Sequence, residues 1–160
     1  MVERKDRDEK VPRETIRYHP AFNRRRRPEW TKGHWTEHEK LRNITDEMYA
    51  ALDNELPVLA AVGMRTAFDT AIEILGIDPG GTFAEKLDAI LDLGKISKEE
   101  RQHLDMLVDA GSAAAHRGWR PESYHLDSMA LILEGFLHRT FLLPTRASIL
   151  GRLPSRPKKS

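Results

Sequence analysis

Three features of this chain predict an all-α fold. No stretch alternates apolar and polar residues with period two, so no strand is expected. Apolar residues recur instead at helical spacing, most densely from Pro57 to Leu75. Helix-start and helix-stop signals then follow one another closely, with Thr82–Glu85 and Ser97–Glu100 as capping boxes and Gly76, Gly94 and Gly118 as terminators. The expected architecture is an antiparallel bundle of four to five helices over residues 44–144. An extended, largely irregular basic arm (1–43) precedes it and a basic tail (145–160) follows.

Taken in order, the arm interleaves Tyr18, Phe22, Trp30 and Trp35 with Arg24, Arg25, Arg26 and Arg27. Basic residues among aromatics suit single-stranded nucleic acid, and they equally suit an arm that lays its rings on the domain surface. Thr36 with Glu39 reads as a capping box that starts a helix between His34 and His38. The two histidines then share no helical face, and with no third ligand in view no metal site is expected. Thr45 is the expected N-cap of a helix over Asp46 to Glu55, and Pro57 suits the first turn of the next.

That next helix carries Leu59, Ala60, Gly63, Met64, Ala67, Phe68, Ala71, Ile74 and Leu75 on one apolar arc wider than half the circumference. It should therefore be central. Its narrow polar strip, Arg65, Thr66, Asp69 and Glu73, is either a solvated face with an Arg65–Asp69 pair or the lining of a cleft. Phe83, Leu87, Ile90 and Leu91 face inward from a short helix, and Leu104, Leu107 and Val108 from the one after it. A last helix runs from about Glu122 to Leu143, with Met129, Ile132, Leu133, Phe136, Leu137 and Phe141 at helical spacing, and Pro144 is expected to stop it.

Composition sets outer bounds. The chain has 160 residues, enough for one domain with a real core. It has no cysteine, which excludes disulfides, thiolate metal sites and cysteine nucleophiles. No apolar run reaches the ~20 residues of a membrane span, and the charged N-terminus has no signal-peptide core. A cytoplasmic protein without cofactor is expected. Net charge is +1 but unevenly placed: residues 41–144 hold 9 Lys/Arg against 17 Asp/Glu, and residues 145–160 hold 5 against none. An acidic body between basic arms would meet nucleic acid through the arms, or else lay the arms on its own surface or that of a second subunit.

The candidate chemistry centres on Gly111-Ser112-Ala113-Ala114-Ala115-His116-Arg117. Asp109, Ser112 and His116 share a helical face, but seven residues at ~1.5 Å each hold Asp109 ~10 Å from His116, too far to orient an imidazole as in a hydrolase triad. Gly111 and Ala115 form a small-xxx-small pair, widened by Ala114, that favours close helix contact within the bundle or between subunits. His116 ends its helix, where the dipole favours a cation, and with Arg117 it makes either a phosphate-directed site or a cap over the last carbonyls.

Four segments in this order resemble the bacterial family called domain of unknown function 4145: Met64-Arg65-Thr66-Ala67-Phe68-Asp69, Thr82-Phe83-Ala84-Glu85-Lys86-Leu87, Gly94-Lys95-Ile96-Ser97, and Gly111 to His116. The resemblance implies a HEPN-like helical bundle. Relatives of that superfamily recur beside restriction enzymes and in toxin or antiphage systems, and many dimerise and cut RNA without metal. Their nuclease signature is an arginine followed after four to six residues by a histidine. Here Asp109, Ala110 and Gly111 stand at the positions open to that arginine relative to His116. An aspartate there would repel a scissile phosphate rather than stabilise its developing charge.

The expected function is therefore a non-catalytic interaction or dimerisation module, accessory to a defence, toxin-antitoxin or restriction-type system and forming a homodimer. Its alternative is a metal-independent ribonuclease using His116, with Arg65 or Arg117 on the phosphate and Asp69, Gly111, Ser112 and Ala115 around the cleft or joint. A further alternative is a regulator that contacts nucleic acid, or a protein partner, through the basic arms.

Overall fold

The computed structural model describes residues 26–159, and within them every regular element is helical. A 3₁₀ turn at Glu29–Thr31 leads to α1 (Glu39–Asp53), α2 (Pro57–Ile74), α3 (Phe83–Asp92), α4 (Lys98–His116) and α5 (Ser123–Leu137). A π-helical turn at His138–Leu142 then joins α5 to α6 (Leu143–Leu150). None of these helices is long and apolar enough to cross a membrane.

α2 is the axis of the bundle and packs against α1, α4 and α5, while α3 packs on α4. The breadth of its apolar arc explains this, since Ala60, Ala61, Met64, Ala67, Phe68, Ala71 and Ile72 are all buried. Phe68 meets Phe136 of α5 edge-on, with centroids 5.2 Å apart, in the geometry that ring quadrupoles favour. Leu59, assigned to the arc by spacing, is 60% exposed because it stands seven residues before Thr66 and fourteen before Glu73, on the exposed strip of α2.

Both capping boxes at α3 and α4 form. Thr82 Oγ1 accepts from Glu85 N–H at 3.2 Å, Ser97 Oγ accepts from Glu100 N–H at 3.1 Å, and each glutamate carboxylate accepts the cap's own N–H in return. The corner between α1 and α2 uses a non-glycine residue in the left-handed region, Glu55 at φ 57°. Leu56 N–H closes back on Ala51 C=O at 2.9 Å, as a Schellman turn requires.

Three boundaries differ from the sequence reading. Thr45 does not cap a helix; it lies buried inside α1, and its hydroxyl donates to Leu41 C=O at 2.7 Å. That back-bond occupies the group a cap would have used, and the helix starts seven residues earlier, at Glu39. Thr36 and Glu39 make no capping box, since Thr36 Oγ1 accepts from His38 N–H at 3.3 Å and His38 takes the cap position. Pro144 does not stop the last helix. Proline lacks an N–H and crowds the carbonyl four residues before it; the wider π turn just ahead absorbs the misfit, and helix resumes to Leu150.

The described end of the arm is built into the domain. Trp35 is 5% exposed and meets Trp30 edge-on at 5.4 Å, and the pair continues to His138 and Phe141 of the π turn. Arg27 lies over the Tyr49 ring at 4.6 Å and pairs with Asp46. Tyr49 in turn donates to Glu134 Oε1 at 2.7 Å, a buried link from α1 to α5. Burial, and then the Glu134 carboxylate, push the Tyr49 phenol well above its ordinary value.

Candidate functional site

The Gly111 stretch lies where α4 crosses α2. A Cβ built on Gly111 would stand 2.6 Å from Cβ of Arg65, 3.0 Å from its Cδ and 3.3 Å from the Ala61 carbonyl oxygen. The first of these is fixed to the α2 backbone, so any side chain at 111 must push the two helices apart. The row Leu104, Leu107, Gly111 and Ala114 follows the i, i+3, i+7 ridge of α4 and is buried throughout. Ala115, placed in the seam by small-xxx-small spacing, is exposed; Ala114 holds that place because the ridge steps three residues there rather than four. Ser112 is half-buried beside it.

Arg65 is held by this notch. Its aliphatic stem lies against Gly111, and its guanidinium carbon lies 4.8 Å from the centroid of Phe83 on α3. Lys86 Nζ lies 4.8 Å from the same ring, so one aromatic carries two cations. Asp69, the expected helical partner of Arg65, pairs instead with Lys86 at 2.9 Å. The Lys86 side chain is 8% exposed and takes Asp69 as its countercharge, which leaves Arg65 Nε buried without a hydrogen-bond partner. The polar strip of α2 is thus divided: Phe83 and Lys86 of α3 engage Arg65 and Asp69, while Thr66 and Glu73 are exposed.

His116 is the last residue of α4 and is exposed. It stands five residues beyond Gly111, which on an α-helix is ~140° around and ~7.5 Å along. Arg65 and His116 therefore meet α4 on different faces. Arg117 folds back along the helix, donating to Asp109 Oδ1 at 2.6 Å and to Asp109 C=O at 2.9 Å. Asp109 thus engages the one guanidinium that neighbours the histidine in sequence.

In the basic stretch, Arg24 and Arg25 lie outside the described residues. Arg26 is exposed, and Arg27 is committed to Asp46 and Tyr49. His34 is exposed, and the His38 ring packs on Phe141 with centroids 6.1 Å apart.

Two features escaped the sequence reading. Lys86 belongs to the inward face of α3, and the signal was present, since Phe83, Lys86, Leu87 and Ile90 fall at i, i+3, i+4 and i+7. The other is a groove of about 400 Å³ between α4 and α5, lined by Leu104, Leu131, Ile132 and Phe136 with His103, Ser128 and Gly135 on its walls. Leu131 is 61% exposed on its rim, a Cβ on Gly135 would meet nothing within 4 Å, and Arg139 paired with Glu100 closes one end.

A family model described as a domain of unknown function, DUF4145, matches residues 46–156. No curated protein and no solved structure matches this chain.

Proposed function

Starting from a chain that belongs to the DUF4145 family, we propose that this domain is a non-catalytic helical module that pairs with a second copy of itself, with an accessory rather than enzymatic role. The observation that carries the reading is the engagement of Arg65. Metal-free cleavage of RNA asks for a histidine to move protons and a cation to take up the charge developing on the phosphate. Arg65 is wedged against Gly111 and stacked on Phe83, on another face of α4 from His116. Arg117 is spent on Asp109. His116 is left on a helix end beside a carboxylate-bound arginine, which suits a surface residue better than an acid–base catalyst.

The pairing half of the reading draws support from the α4–α5 face. Leu131 is 61% exposed on the rim of the groove, above Leu104, Ile132 and Phe136. Large apolar side chains gathered about a concave surface mark an interaction site more often than scattered ones do.

Two measurements test the proposal. RNA incubated in EDTA with the wild-type protein and with His116→Ala should show no difference between them; His116-dependent cutting would return the chain to the ribonucleases. Light scattering coupled to size exclusion should give twice the 18.4 kDa chain mass, and a monomer at micromolar concentration would remove the self-association.

A further inference from the structure

We infer that the groove between α4 and α5 receives α6 and the following basic segment of a second copy, each copy filling the other's groove. This rests on the self-association proposed above and names its contact. α6 is an unpartnered helix: none of its residues is buried, and Leu143, Ile149, Leu150 and Leu153 are 48%, 60%, 65% and 66% exposed. Leu143, Ala147 and Leu150 fall at i, i+4 and i+7, the anchor spacing of a helix that lies in a groove.

The chain's own groove is out of its reach. It runs along α5 between Ser128 and Arg139, and α6 continues from α5 through an unbroken helical path, so α6 leads away from it. A second copy has no such restraint.

Charge selects the same pairing. Residues 145–160 carry five Lys/Arg and no Asp/Glu, whereas residues 41–144 carry 17 Asp/Glu against 9 Lys/Arg. Glu100, paired with Arg139, stands at one end of the groove, Glu99 one turn before His103 on α4, and Asp127 one turn before Leu131 on α5. Carboxylates there would meet Arg146 and Arg152 once Leu143 and Leu150 enter the groove. The floor is shaped to admit a helix, because Gly135 and Ser128 keep the α5 wall low on either side of Leu131.

The absence of cysteine makes the contact directly testable in the full chain. Full-length Leu150→Cys and Ser128→Cys proteins are prepared separately and mixed under mild oxidation. The expected product is a disulfide-linked dimer containing one of each, well above the yield of either protein alone. In parallel, Leu150→Asp should leave the far-UV circular-dichroism spectrum unchanged, since that side chain touches no core, and should raise the dimer dissociation constant at least tenfold. A dimeric wild type with no mixed cross-link, or one whose dimer survives Leu150→Asp undiminished, overturns the α6 contact and leaves self-association standing. A monomeric wild type overturns both.

Discussion

The two flanks of α4 handle a glycine in opposite ways. On one flank Gly111 gives up its side chain so that α2 can approach, and the space it vacates is filled by the stem of Arg65. Across from the other flank, Gly135 of α5 gives up its side chain and nothing fills the space. A small residue in a helix therefore does not by itself announce a joint or a site. The neighbour's side chain decides which it is, and here the closed flank contributes stability while the open one is left for a partner.

The largest blow to this contrast is expected from Gly111→Val. Two methyls forced against Cβ of Arg65 must separate α2 from α4, at a cost of roughly 2–4 kcal/mol in urea unfolding. An unaltered midpoint would mean that the helices are not in close contact there.

Next comes Tyr49→Phe. The open flank requires α5 to be held from behind, and Tyr49 holds it through Glu134. Loss of that buried donor should cost about 1–3 kcal/mol at neutral pH. The same link has a pH signature. Burial and the Glu134 carboxylate raise the folded phenol above its ordinary 10.0, so the folded chain keeps a proton that the unfolded chain releases. The stabilisation is whole below pH 10.0 and declines as pH rises beyond it. Melting temperatures followed from neutral pH to about pH 11 should fall more steeply for wild type than for Tyr49→Phe; parallel curves would dismiss the link.

Gly135→Ala should go the other way. With open space at the Cβ position and a helix interior around it, alanine should stabilise the monomer by up to about 1 kcal/mol, and a loss of stability would show that the open flank is filled after all. Smallest of all is Arg117→Ala. Its ion pair with Asp109 is 55% and 72% exposed, so thermal stability should shift by less than about 1 kcal/mol.

Much of the closed flank was legible in the sequence. The capping boxes fixed the starts of α3 and α4, the breadth of the apolar arc marked α2 as the axis, and Gly111 with its alanines marked a close approach. What met Gly111 was not legible, because helical periodicity gives a residue's azimuth on its own helix and nothing about the helix opposite. Asp69 shows the same limit: spacing offered Arg65, and burial of Lys86 decided otherwise. Thr45 and Pro144 misled for a local reason. Each is a residue type with two uses, a cap or a back-bond for threonine, a stop or a π turn for proline, and tertiary packing chooses between them. An arm laying its rings on the domain was among the readings, but that Trp35 enters the core and Trp30 packs against it was not legible, because each does so singly, without a repeat to reveal it.

The π turn at His138–Leu142 carries one residue more than an α-helix would need for the same turn. That surplus acts as a phase shift. Every side chain after it is rotated by ~100° relative to the stripe that α5 would have continued. Leu143, Ala147 and Leu150 thus owe their bearing to a register offset, not to their own spacing. Deleting Thr140 and rewinding the turn as α-helix would leave all three on their present bearing, whereas rewinding it with its length unchanged would swing them to another compass point. The direction in which this helix is aimed is encoded by the length of the turn before it.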